Sequence, residues 1–217
     1  MGVLITTFAN LGVPESICTS LAQHGIVEAF PIQEMTLPLA LTGKDLIGQA
    51  KTGTGKTFAF GIPLLAQLTT PASESWSEFA NAGKPQALVI VPTRELAIQV
   101  ADDLEQAGQE MQARVVCLYG GKAYEPQIET LRAGVEVVVG TPGRLIDLVQ
   151  QKHLDLSKVN VLVMDEADEM LDMGFLPDVE TLVSKTSTNR QTMLFSATMP
   201  SQIVTLARRY MRQPTHI

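Results

Sequence analysis

Residues 45–68 read DLIGQAKTGTGKTFAFGIPLLAQL. A short apolar run, Asp45–Gln49, gives way to Ala50-Lys51-Thr52-Gly53-Thr54-Gly55-Lys56-Thr57 and then to Phe58–Leu68, a stretch with helical periodicity. Strand, glycine-containing turn and helix in that order make a phosphate-binding loop. Gly53 and Gly55 let the backbone curl so that successive N–H groups converge on one anion. The dipole of the following helix N-terminus favours negative charge at the same point. Lys56 adds a full positive charge for terminal phosphates, and the Thr57 hydroxyl suits Mg²⁺. The general pattern has glycine five residues before Gly55, where this chain has Ala50.

The same grammar repeats outward from this loop. Ala87–Val91, Val115–Tyr119, Val135–Val139, Asn160–Met164 and Gln191–Phe195 are short apolar runs, mostly without clean alternation, that stop at polar or Gly/Pro-containing turns. Runs of that kind suit strands covered on both faces. Between them lie stretches of helical period: Leu96–Met111 sets Leu96, Val100, Leu104 and Met111 near one face, and Leu145–Val149, Val179–Val183 and Ile203–Tyr210 read alike. Alternating strand and helix predict an α/β fold, a three-layer parallel sheet with helices on both faces. One domain over residues 1–217 is the simplest organisation. Residues 69–86, rich in Ser, Thr, Ala and Pro and carrying Trp76 and Phe79, read as a surface excursion, with both aromatics packed down onto the domain.

Composition narrows the function classes. With 45% hydrophobic and 18% charged residues the chain is an ordinary globular protein. A formal net charge of −7 argues against a large basic face for nucleic acid, though a local basic strip remains compatible with it. Cys18 and Cys117 form no disulfide framework or metal spacing, and Cys117 sits in an apolar run that predicts a buried, reduced thiol. His24, His153 and His216 are scattered, which speaks against a metal site. No apolar stretch approaches the ~18 residues that span a membrane. The apolar patch Val3–Ile5 has no preceding Lys or Arg, so it does not read as a signal peptide. These features predict a cytoplasmic, soluble protein, and the domain by itself is expected to be monomeric.

The run Val159–Met164 ends in Asp165-Glu166-Ala167-Asp168. Adjacent carboxylates at the end of a buried strand are costly unless they meet a cation. Mg²⁺ on nucleotide phosphates would be that cation, with Asp165 holding it directly or through water. Glu166 is then placed to orient and deprotonate an attacking water.

The tetrapeptide and the motifs around it, in one order, resemble the DEAD-box family of RNA-dependent ATPases, in its bacterial form and with its RecA-like fold. Pro92-Thr93-Arg94-Glu95-Leu96-Ala97 is similar to motif Ia, Gly120-Gly121 to the glycine doublet, Thr141-Pro142-Gly143-Arg144 to motif Ib and Ser196-Ala197-Thr198 to motif III. The resemblance runs from about Phe8 to the C-terminus. It implies ATP and Mg²⁺ as cofactors, with Lys56, Asp165 and Glu166 as the catalytic set. It also implies that motifs Ia and Ib and the doublet bind the sugar-phosphate backbone of single-stranded RNA without reading bases. Backbone N–H groups, small hydroxyls, Arg94 and Arg144 have the chemistry for that. Asp168, Ser196 and Thr198 would couple ATP hydrolysis to RNA unwinding. Gln33, in Phe30-Pro31-Ile32-Gln33, would recognise adenine, since a carboxamide both donates and accepts. Phe8, seventeen residues before Gly25, would stack on the base. The family pattern has Pro-Thr where this chain has Ala29-Phe30.

The resemblance also implies a second RecA-like domain, carrying arginines for the γ-phosphate, that this sequence does not contain. Without an arginine finger phosphoryl transfer slows by ~10³–10⁵, so the chain alone is expected to bind nucleotide and hydrolyse very little. Two other readings stand beside the helicase: a nucleotide or RNA clamp or docking module without unwinding, and a DNA-directed helicase of the same superfamily. Gln33 and the full tetrapeptide argue against the DNA reading.

Overall fold

The computed structural model describes residues 6–74 and 83–217. Val3–Ile5, Trp76 and Phe79 therefore lie outside the described residues. Strands β1 (Leu46–Gln49), β2 (Ala87–Ile90), β3 (Val115–Leu118), β4 (Val137–Gly140), β5 (Val161–Met164), β6 (Gln191–Ser196) and β7 (Thr215–His216) form one sheet. Its order is β3-β4-β2-β5-β6-β1-β7, and every pairing is parallel. Helices are α1 (Glu15–Gln23), α2 (Pro31–Ala40), α3 (Lys56–Ala66), α4 (Arg94–Ala107), α5 (Tyr124–Ala133), α6 (Pro142–Gln150), α7 (Ala167–Asp172), α8 (Leu176–Ser184) and α9 (Ser201–Tyr210).

The side-chain period of two divides the strands between two cores. Val89, Val139, Val163 and Phe195 face one cluster, which also takes in α1, α2, α3 and α4. Leu88, Val138, Leu162 and Leu194 face the other, with α5, α6, α8 and α9. Residues of β2, β4 and β5 are buried throughout, so their runs do not alternate in hydropathy. The three-layer parallel fold expected from the sequence is the one observed. Close packing also explains Gly48 in β1, because a Cβ there would collide with the Phe195 ring, itself tilted against Phe60 at 5.5 Å.

Element boundaries differ from the sequence reading for local reasons. Helix α3 starts at Lys56, because Gly55 at φ 85° forms its N-cap. Helix α4 ends at Ala107 before Gly108, so Met111 reaches the core from beyond the helix. Strand β4 begins at Val137 rather than Val135. Periodicity did not reveal α1, α2, α5 or α7. Both α2 and α5 contain prolines that look like breakers: Pro31 and Pro126 fall in first turns, where the missing N–H has no partner to lose, whereas α2 accommodates Pro38 in its interior. The excursion after α3 is tied at its base: Gln86 donates to the Thr69 carbonyl at 2.7 Å and accepts from the Thr69 N–H at 2.9 Å.

One row of sheet partners positions the site. Leu118 pairs with Gly140, Gly140 with Ile90, Ile90 with Met164, Met164 with Leu194, and Leu194 with Ile47. Every sequence motif except the Gln33 and Phe8 segment begins within a few residues of this row, at the carboxyl edge of the sheet where such folds place ligands.

Candidate nucleotide and nucleic-acid site

The phosphate loop leaves β1 beside β6, where the Ala50 N–H donates to the Ser196 carbonyl at 3.2 Å. Gly53 (φ 84°) and Gly55 (φ 85°) occupy the left-handed region that glycine adopts without strain. Ala50 is not among the positive-φ residues, so the alanine in place of glycine fits the backbone. Lys51, Thr52, Gly53 and Thr54 are exposed, and Lys56 is buried to 6% exposure at the first turn of α3. Its ammonium lies 3.3 Å from Asp165 Oδ1 and 3.8 Å from Glu166 Oε1. Removing these charges from water is expensive, and the pairing offsets that cost. The Thr57 side chain, half-buried, hydrogen-bonds toward Asp103 of α4. The structure thus brings Lys56 to the two carboxylates and turns Thr57 toward a different helix.

At the end of β5, Asp165 is 2% exposed and its Oδ1 accepts the Glu166 N–H at 2.9 Å. Burial holds the Asp165 carboxyl above its ordinary range, against the pull of Lys56. Glu166 has φ 52° and ψ 50°, a strained conformation for a residue with a side chain. That turn starts α7 and sends the Glu166 carboxylate back to the phosphate loop, where the Thr52 hydroxyl donates to it at 2.7 Å. Burial raises the Glu166 carboxyl, but hydrogen bonds with Glu169 and Thr52 and the Lys56 charge outweigh it and leave its pKa lowered. Glu169, one turn on, is pushed up to about 7, first by its hydrogen bond with Glu166 and then by burial. The interaction of the two glutamates thus lowers Glu166 and raises Glu169.

Asp168 ties this corner to the end of β6. Its N–H donates to Ser196 Oγ at 3.1 Å, and its Oδ2 accepts from the Thr198 N–H at 2.9 Å and hydroxyl at 2.8 Å. Burial raises the Asp168 carboxyl, yet these bonds bring its pKa below the ordinary value.

Gln33 enters from α2, 1% exposed, donating to the Gly55 carbonyl at 2.9 Å and accepting the Phe30 N–H at 2.9 Å. A cavity of about 530 Å³ opens beside it, lined by Gly25–Glu28, Phe30, Gln33 and Phe58. Phe8 is not on that wall. It is 2% exposed in the core, and its face is covered by protein.

On the other half of the edge, Thr93 caps α4 by accepting the Leu96 N–H at 3.3 Å, and Pro92 is buried. Arg94 is exposed, with its guanidinium 5.9 Å from the Tyr119 ring. Gly120 and Gly121 are exposed, the latter at φ 82°. Thr141 begins α6, with Pro142 buried and Gly143 exposed. Two helix N-termini, those of α4 and α6, thus open on this surface. Arg144 turns inward: at 6% exposure it donates to Gln127 Oε1 and to the Lys122 carbonyl, both at 2.9 Å, and lies 3.9 Å from the centre of the Tyr124 ring. Lys122, not singled out in the sequence, holds its ammonium 5.1 Å from the Tyr119 ring, so Tyr119 has two cations over it. Its signal was its place directly after the glycine doublet.

Residues 30–206 match the family model of the DEAD/DEAH box helicases. The chain belongs to the DEAD/DEAH box helicase family. It is 48% identical over 210 residues to the DEAD-box ATP-dependent RNA helicase CshA of Streptococcus pneumoniae serotype 4, covering 97% of this chain and 38% of that protein. With CshA of Bacillus subtilis it shares 46% identity over 211 residues, covering 97% of this chain and 41% of the relative. Among solved structures, a DEAD box protein from the hyperthermophile Methanococcus jannaschii superposes with a TM-score of 0.82 at 37% identity, over 97% of this chain and 55% of that one. The chain thus spans well under half the length of these curated relatives, and its fold is that of a RecA-like helicase domain.

Cys117 is half-buried rather than fully buried, with burial pushing its thiol up to about 12, and both cysteines are free. Among the described residues no helix is long and apolar enough to cross a membrane.

Proposed function

We propose that this chain is the ATP-binding half of an RNA helicase whose full activity needs a second RecA-like domain. The observation that carries this reading is the Lys56 ammonium set between Asp165 and Glu166 at the mouth of a phosphate loop. ATP phosphates replace the carboxylates as partners of Lys56, with loop N–H groups and the α3 N-terminus as further donors. Glu166, kept ionised beside Glu169, takes the proton of the attacking water. Asp165 supplies a hard oxygen suited to Mg²⁺, and the Thr57 hydroxyl is a second donor once turned from Asp103. The ion would neutralise phosphate charge during transfer. Asp168, Ser196 and Thr198 link this corner to β6 and relay its state toward the RNA side.

Single-stranded RNA lies across the α4 and α6 N-termini, its phosphates met by Thr93, Arg94, Gly120, Gly121, Thr141 and Gly143. Pro92, Pro142 and Arg144 shape that surface from beneath it. The contacts are to backbone, so they carry no base sequence.

Calorimetric titration of ADP–Mg²⁺ into the chain and into Lys56→Ala tests the reading, beside an RNA-binding measurement. Binding that depends on Lys56, with hydrolysis close to background, supports it. Nucleotide binding indifferent to Lys56 refutes it, and robust RNA-stimulated ATP turnover by these 217 residues refutes the need for a second domain.

A further inference from the structure

The aromatic ring exposed at the cavity beside Gln33 is not the one the family resemblance singles out. Phe8 is 2% exposed in the core, whereas Phe30 is 58% exposed. Phe30 stands where the family pattern has threonine. A large apolar ring held in water is unfavourable unless something covers it. Val27 and Met35, 51% and 57% exposed, stand near it in sequence on either side, so Phe30 belongs to an apolar rim.

The ring is seated on the phosphate loop. A Cβ on Gly55 would lie 2.5 Å from Phe30 Cδ2 and 3.3 Å from Phe30 Cβ, so the bare glycine backbone is what lets the ring approach. The strip that leads to it is also held: the Ala29 N–H donates to the Thr6 carbonyl at 2.9 Å, and Thr7 bridges Glu28. From this seat Phe30 walls both the cavity of about 530 Å³ with Gln33 and Phe58 and a neighbouring one of about 450 Å³ with Met35 and Thr54.

Gln33 can serve a base only in part. Each end of its carboxamide already has a protein partner, which leaves one N–H and one lone pair. It can read an edge, but a flat heterocycle also needs a face to pack on. Phe30 is the exposed aromatic at that cavity, and Phe58, which also lines it, is half-buried.

We propose that Phe30 is a base-stacking residue of this chain: a purine nucleotide held by the phosphate loop packs its base on the Phe30 ring in the cavity with Gln33. This rests on the ATP-binding reading above. Stacking is tolerant of base identity. The ring therefore adds affinity for ADP and GDP alike and dilutes the selectivity that the Gln33 edge confers.

The test is calorimetric titration of ADP, GDP and inorganic pyrophosphate into the chain and into Phe30→Thr, Phe30→Leu, Phe30→Tyr and Lys56→Ala, each first checked for an unchanged thermal melt. Phe30→Thr and Phe30→Leu should weaken ADP and GDP about tenfold, the scale of one aromatic–base stack. Phe30→Tyr should restore both, and pyrophosphate binding should not change in any Phe30 variant. Equal ADP affinity in Phe30→Thr, with Lys56→Ala still defective, overturns the stacking role and leaves the ATP reading intact. Loss of pyrophosphate binding in Phe30→Leu also overturns it, because the ring would then act by seating the loop. ADP binding that survives Lys56→Ala removes the underlying reading.

Discussion

The carboxyl edge of the sheet has two halves built on opposite principles. Behind β1, β5 and β6 the working groups are side chains locked to one another: Lys56 to Asp165, Thr52 to Glu166, Asp168 to Ser196 and Thr198. Behind β2, β3 and β4 the exposed groups are helix N-termini, glycines and two cations over Tyr119, while Arg144 braces the loops from inside. In the proposed ATP site these pairings gather the charged groups at the mouth of the loop before nucleotide arrives, so that Lys56 has only to exchange carboxylate for phosphate. Gripping an RNA backbone of any sequence needs accessible donors, and fixed charge networks there would gain little.

If the halves are separate in this way, Lys56→Ala should lower ADP affinity by about a hundredfold, the scale of a lost charge-assisted contact. RNA binding, read by fluorescence anisotropy, should be unmoved. An equal loss on both sides would show one fused site. Next in size is Arg144→Ala, which strands Gln127 and the Lys122 carbonyl and removes the stack on Tyr124. It should cost about 2–3 kcal/mol in urea unfolding. A variant of full stability that still lost RNA binding would make Arg144 a direct RNA contact.

Arg94→Ala and Lys122→Ala should each weaken RNA severalfold and reduce the salt slope by about one, with ADP affinity unchanged. An unaltered slope would remove these cations from the RNA path.

The smallest effect is a pH dependence inside the nucleotide half. Glu169 rises from an ordinary 4.5 to about 7 in the fold. The folded state therefore binds that proton more tightly, and stability is lost as pH climbs from about 4.5 through 7. Glu169→Gln keeps a donor for Glu166 and cannot ionise. Its thermal melt should match the parent at pH 4 and exceed it at pH 8, by a modest margin because solvent screens the site. Identical profiles would show that Glu166 does not raise Glu169.

Much of this was legible in the sequence. The strand runs, the phosphate loop, Asp165–Asp168 and the order of the motifs are local patterns, and local patterns survive in one dimension. Helices α2 and α5 were not legible, because prolines read as breakers, yet Pro31 and Pro126 fall in first turns and α2 carries Pro38 in its interior. Strand β7 was not legible either: Thr215–His216 is too short to signal a strand and forms only because the edge of β1 is available.

Sequence alone determined the α/β class, the phosphate loop and the acidic motif, since glycine, lysine and carboxylate at those spacings have few other uses. The tertiary structure decided orientation and burial. It turned Arg144 inward, sank Phe8 into the core, left Phe30 exposed over Gly55, and set Lys56 between two carboxylates from a strand far along the chain. Burial and cross-strand register depend on which strands become neighbours, and no single stretch of residues encodes that.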